Sequence, residues 1–341
     1  MSDPAPRLIR RFIAVTVILL LVGGGAWGFL QVRHIYRAPG PMPVAADIVI
    51  PRGNMQMTVA TLRAAHLIRP DRMTAFVFRH IVQLTHHQGA LHSGEYSFPA
   101  GASLHQVIAI LRHGKPVQHV ITVPEGLTAA QIRDLLAAAP GMTGDVPVLG
   151  EGEILPQTLS YRYGDQRRQI VARYRILMQN ALQKAWETRI PDPALTSPRD
   201  LLILASMVER ETGREDERAR VARVFLNRLN RGMRLQSDPT VIYDVSQGEG
   251  VLPHPLTRSE LAFNDGHNTY AQDGLPSGPI CAPGYAAIMA VAHAPQGDDL
   301  YFVAKGDGSH VFSTTLKAHL AEVRRYRHHP PHPAKGTVPG E

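Results

Sequence analysis

The chain has 341 residues, 44% of them apolar and 19% charged, an ordinary globular composition with room for two modest domains. A single cysteine, Cys281, excludes an internal disulfide and any multi-cysteine zinc site, and reads as a small buried apolar residue. The net charge of +7 comes from scattered basic residues with no RNA- or DNA-binding module among them, so it excludes nucleic acid as a partner and suits a surface beside anionic lipid head groups or an anionic polymer.

The N-terminal part is not globular. Phe12 to Leu30 is free of charge and long enough to cross the roughly 30 Å hydrocarbon core as a helix. Arg7, Arg10 and Arg11 precede it and Arg33 and Arg37 follow, a slight bias that favours a cytoplasmic N-terminus. The run exceeds the usual signal-peptide core and no A-x-A site follows, so the reading is an uncleaved single-pass anchor, with a cytoplasmic stretch at 1–11 and a transmembrane helix at 12–30. Ala38 to Pro43 is a stiff, Pro-rich exit.

A small α+β domain is predicted over 46–139, with a faint internal echo. Ile48 to Gly53 (IVIPRG) precedes a helix at about 58–67, and Ile121 to Gly126 (ITVPEG) precedes another from Thr128, where Thr128 and Gln131 form a capping box. Between them come a helix with Val77, Phe78, Ile81 and Val82 on its apolar face, the strand-like Gly94 to Phe98, and a helix from Ser103 to Arg112. Residues 140–165 are rich in Gly and Pro and read as a junction. From Arg167 to Thr188 an apolar stripe at helical spacing marks a packed amphipathic helix.

The most informative stretch follows. Ser197 is a good N-cap, Pro198 takes the first helical position and Asp200 closes the box. Leu201 to Val208 is apolar on nearly every face, so this helix is predicted to be buried. Glu209 stands at its end. A carboxyl there is poorly solvated, which raises its pKa and keeps it protonated, as a general acid requires. The plainer reading is an ion pair with Arg210, Arg214 or Arg218 and no chemistry. A second helix is predicted from Glu215 to Arg231. Gln236, Ser237, Asp238 and Thr240 then cluster short polar groups just before an aliphatic–aromatic run; lining a cleft, they would hydrogen-bond a polar ligand, with Tyr243 or Tyr270 stacking on it. Ser237-Asp238-Pro239 also reads as a simple turn opening a helix.

Asn268-Thr269-Tyr270 and Gly274 to Gly284 read as loops of the kind that wall clefts. A helix over 283–292, a hairpin of Leu300–Lys305 with His310–Ser313, and a helix over 315–327 complete the domain predicted at 140–327. His310 is a candidate ligand-contacting or supporting group, or a solvated strand end. The Pro/His-rich tail, 328–341, is predicted to be disordered.

The order SMVERET, VARVFLNRL and GMRLQSDPTVIY resembles the core of the YceG-like, or MltG, endolytic murein transglycosylases. The likeness continues through Asn268-Thr269-Tyr270, Gly274-Leu275-Pro276, Gly278-Pro279-Ile280, Tyr301 to Ala304 and His310 to Ser313, covering most of 195–327. The resemblance implies a LysM-like domain at 46–139, a mixed α/β catalytic domain at 140–327 and Glu209 as the catalytic acid. It further implies contacts to substrate from Gln236, Ser237, Asp238, Thr240, Tyr243, Asn268, Thr269, Tyr270 and His310. Two blocks depart from the family pattern: Glu151 to Tyr161, with Gln157 where the family has Asp, and Asp265-Gly266-His267, where Ser-Pro-Tyr is common.

Most glycosidases need two carboxylates, about 5–5.5 Å apart for retention or about 6.5–9.5 Å for inversion. Only Glu209 is a strong candidate, and Asp238 is the other carboxylate in a cleft-facing motif. A lytic transglycosylase escapes the requirement, since the substrate's own C6 hydroxyl is its nucleophile. The expectation is therefore a bacterial inner-membrane protein, periplasmic beyond its anchor, that cuts peptidoglycan glycan strands internally to leave 1,6-anhydro ends. It needs neither cofactor nor metal, and peptidoglycan synthases are its expected partners. A water-using muramidase and a non-catalytic wall-binding scaffold are the alternatives.

Overall fold

A computed structural model describes residues 5–328. The first four residues of the predicted cytoplasmic stretch, and the predicted tail past His328, lie outside them. The chain divides into two compact units, one running to His119 and taking in 162–164, the other formed by 120–161 and 165 onward.

The first unit opens with α1 (Ala5–Arg37), 33 residues and so about 50 Å long. Val15–Arg37 is long and apolar enough to span a membrane, and its Leu, Val and Phe side chains stand exposed rather than packed. After it come β1 (Ala46–Ile50), α2 (Met55–Ala64), α3 (Arg72–Leu84), β2 (Gly94–Phe98) and α4 (Leu104–His113). β1 and β2 pair antiparallel, Ala46 opposite Phe98 and Ile50 opposite Gly94. Leu62, Phe78, Phe98, Val107 and Leu111 are buried together beneath them. Helix starts follow side-chain chemistry: Asn54 and Asp71 accept backbone N–H groups, and Ser103 with Gln106 completes a capping box. α2 starts three residues earlier than the apolar pattern predicts because Asn54 caps it. It stops short of Leu67, and His66 beyond its end takes a left-handed φ of 54°.

The second unit holds β3 (His119–Thr122), which begins at the boundary, α5 (Ala129–Ala138), β4 (Thr158–Tyr161), α6 (Arg167–Thr188), α7 (Pro198–Glu211) and α8 (Glu215–Asn230). α9 (Asp238–Val245), α10 (Tyr285–Ala292), β5 (Tyr301–Ala304), β6 (His310–Ser313) and α11 (Leu316–His328) follow. β3 pairs with β4, and β5 with β6 as an antiparallel hairpin. The architecture is mixed α+β with short two-stranded sheets. α7 runs through its centre: Leu201, Leu204, Ala205, Met207 and Val208 share a core with Val221 and Phe225 of α8 and Ile288 and Val291 of α10. Its capping box, Ser197 with Asp200, and Pro198 start it as the sequence dictates. Burial all round fixes the helix and delivers its last turn to one place.

Candidate active site

At the end of α7, Glu209 is almost wholly enclosed, its side chain 6% exposed. The Gly284 N–H donates to its Oε2 at 2.9 Å, and Arg218 Nη2 of α8 lies 3.8 Å from its Oε1. Of the three arginines the sequence offers, only Arg218 approaches: Arg210 donates to the carbonyls of Gly126 and Gly250, and Arg214 pairs with Asp216. Desolvation raises the Glu209 pKa, the Gly284 N–H opposes it, the negative charge of Glu125 adds to the rise, and Arg218 opposes. Desolvation wins, so the acid is biased towards its protonated form while its conjugate base has a hydrogen bond and a guanidinium waiting.

Two turns wrap this carboxyl. One is Pro124-Glu125-Gly126, between β3 and α5. Gly126 takes φ +77°, and a Cβ there would meet Glu209 Cγ at 3.8 Å. The other is Ala282-Pro283-Gly284, where a Cβ at Gly284 would fall 1.8 Å from Glu125 Oε1. α10 begins at Tyr285 and not at Pro283 because Gly284 is extended, with φ −70° and ψ 164°, and serves as the N-cap, its N–H free to engage Glu209. Sequence reasoning missed Glu125 and Gly284. Glu125 reads as one residue of a strand–turn–helix echo, and only the fold brings it to α7.

The polar groups singled out after Gly232 form a separate network. Ser237, Thr240, Asn268 and Thr269 are buried. The Thr269 hydroxyl accepts from the Ser237 N–H at 2.9 Å and lies 3.0 Å from the Thr240 hydroxyl, which in turn donates to the Ser237 carbonyl. Asn268 Nδ2 donates to the carbonyls of Leu261 and Phe263, and its Oδ1 accepts from the Tyr270 N–H. The Ser237 hydroxyl donates to Glu211, whose carboxyl burial pushes up to about 7. The Tyr270 hydroxyl donates to Asp238 at 2.6 Å; burial, then Asp238, push this phenol's pKa upward. Gln236 and Asp238 are exposed, and Tyr243 and Tyr270 half-buried. His310 bonds Glu217 at 2.7 Å at the start of α8.

A cavity of about 560 Å³ opens between Glu151, Gly152 and Glu153, Arg175 of α6, Arg199 of α7, Tyr243 and His267. Both blocks that depart from the family pattern therefore contribute to its wall. Glu151 accepts from the Ala129 N–H at 2.9 Å and the Tyr243 hydroxyl at 3.2 Å, and burial raises it to about 7. Through Ala129, the first residue of α5, this wall adjoins the turn that carries Glu125. His267 Nδ1 lies 2.9 Å from Asp244, whose other oxygen accepts the N–H groups of Asp265, His267 and Asn268. Among the described residues no group of three or more His, Cys, Asp or Glu side chains is arranged to hold a metal ion.

The profile of the YceG-like family matches residues 48–325. An endolytic murein transglycosylase of Bacillus subtilis is 32% identical over 176 residues, 52% of this chain and 48% of the relative. One of Streptococcus pneumoniae is 25% identical, over 84% of this chain and 59% of the relative. The chain thus spans about half the length of the curated relatives it matches. The crystal structure of a YceG-like protein from Listeria monocytogenes superposes with TM-score 0.50 at 25% identity, over 82% of this chain and 99% of that one.

Proposed function

The chain belongs to the YceG-like family, and from that premise we propose that it is an endolytic murein transglycosylase, cutting the MurNAc–GlcNAc β-1,4 bond within glycan strands. The observation that carries the reading is Glu209: a carboxyl desolvated at the end of a buried helix, beside Gly284 N–H and Arg218. Protonated Glu209 gives its proton to the glycosidic oxygen as the bond to C1 breaks. The resulting carboxylate, held by Gly284 N–H and Arg218, takes the proton of the muramoyl C6 hydroxyl as that oxygen closes on C1. The product is a 1,6-anhydro end.

Gln236, Asp238, Tyr243 and Tyr270 keep exposed surface, and we assign sugar contacts to them. Ser237, Thr240, Asn268 and Thr269 serve the same cleft from below, by fixing the loops that carry those four. Of the predicted 46–139 domain, the part up to His119 would act as a LysM-like glycan-binding module, supported by the β1–β2 pair with its own core, while 120–139 belong to the second unit. The domains beyond α1 are placed in the periplasm, on the inner membrane, where nascent strands emerge beside their synthases. This rests on the arginines before Phe12 and on the substrate.

The test is mass spectrometry of purified, uncrosslinked glycan strands incubated with residues 38–341 and with Glu209→Gln. Internal fragments ending in 1,6-anhydromuramic acid, absent with the variant, are expected. Reducing ends would establish a muramidase instead, for which the nearness of Glu125 to Arg218 and Glu209 favours it as the second carboxylate over Asp238, which bonds Tyr270. Intact strands with both proteins would leave a binding scaffold.

A further inference from the structure

Two carboxylates share Arg218. Its Nη2 lies 3.8 Å from Glu209 Oε1 and 3.8 Å from Glu125 Oε2, so those two oxygens stand at most twice that distance, about 7.6 Å, apart. That limit does not exceed the separation of up to about 9.5 Å over which paired carboxylates act on a glycosidic bond. Neither contact is a close ion pair, and the buried Nε of Arg218 has no partner. The guanidinium is therefore a shared counter-charge, not one consumed by either acid.

The environments separate the two acids. Glu125 is 43% exposed and solvated, whereas Glu209 is 6% exposed. The first faces water, while burial favours the protonated form of the second. Gly284 fixes the arrangement: its N–H holds Glu209, and its missing side chain leaves the space that the Glu125 carboxylate occupies, 1.8 Å from where a Cβ would stand.

We propose that Glu125 is the second catalytic carboxylate of this site, facing the positive charge that develops at the muramoyl C1 and ring oxygen. The proposal rests on the transglycosylase reading. In the first step the Glu209 proton moves to the leaving O4 as the C1–O4 bond breaks. In the second, C6–OH oxygen bonds to C1 and its proton passes to Glu209. Glu125 neither gains nor loses a proton, and its charge offsets the cation between the two steps.

The test uses the full chain in detergent on uncrosslinked strands, comparing wild type, Glu125→Gln, Glu125→Asp and Gly284→Ala. Glu125→Gln should lower kcat by about 10²–10³-fold with KM little changed, and Glu125→Asp should recover part of the loss. Gly284→Ala keeps the carboxylate but displaces it, and should also lose rate. The titratable and charged groups facing Glu209 are Glu125, Arg218 and the buried thiol of Cys281. Removing the negative one makes Glu209 ionise more readily, so the alkaline limb of kcat/KM against pH should move to lower pH in Glu125→Gln. A wild type that cuts beside a Glu125→Gln chain cutting within about threefold, with an unmoved alkaline limb, overturns the proposal alone. A wild type that makes no anhydro ends overturns the reading beneath it, and the proposal with it.

Discussion

Glu209 and Glu211 leave the last turn of α7 on different sides, and burial raises the pKa of both. Glu209 emerges between two glycine-bearing turns, with a backbone N–H, an arginine 3.8 Å away and a solvated carboxylate beyond it. Glu211 enters a closed network, Ser237 on it and Asp238 and Tyr270 behind. Two residues of sequence separation put them about 200° apart around the helix. A raised pKa is therefore no mark of chemistry by itself; what distinguishes Glu209 is the solvated carboxylate of Glu125 that shares Arg218 with it, where Glu211 meets only a closed network.

That comparison can be broken in several ways. The largest effect is expected from Glu209→Gln, which should lower the rate of anhydro-end formation by about 10²–10⁴-fold while leaving thermal stability unchanged or improved, since a buried acid is removed. Strand cleavage and thermal melting on one preparation measure both. An undiminished rate would end the assignment of Glu209.

Asp244→Ala attacks the scaffold side. Its carboxylate accepts the N–H groups of Asp265, His267 and Asn268, so its loss should cost about 3 kcal/mol in denaturant unfolding and loosen the loop before Tyr270. A cost below about 0.5 kcal/mol would show that the loop holds itself.

Glu211→Gln should spare cleavage within a few-fold and change the pH dependence of stability. Glu211 is raised from 4.5 to about 7, so between these values the folded state keeps a proton that the unfolded chain has released. Stability must therefore fall as pH rises from about 4.5 to about 7 and level off above. Glu151, also near 7, adds a second share. Melting temperatures across that window should fall less steeply in Glu211→Gln; an identical slope would mean that the carboxyl is not desolvated in solution.

The smallest change is expected from His310→Ala. Its partner is Glu217, and the loss of this pair should cost about 1 kcal/mol with a rate within about twofold. A several-fold rise in KM would instead make His310 a substrate contact.

Much of the second unit was legible in the chain. Pro198 with the Ser197–Asp200 box starts α7, and the periodicity of 167–188 gives α6 to the residue, because caps and apolar spacing act over one or two helical turns. The polar cluster from Gln236 to Thr240 was visible too, though not that Ser237 and Thr240 face inward, since a short polar residue is equally at home in a cleft or in a satisfied buried network.

Local sequence thus determined the long apolar N-terminal helix, the helix boundaries around Glu209 and the buried character of its helix, all properties set within a few residues. Only the tertiary structure decided that Glu125, 84 residues before Glu209, shares Arg218 with it, and that Gly284, 75 residues after, must lack a side chain for both carboxylates to fit. Charge pairing and steric room act across space, and nothing in the order of residues records which distant turns will meet.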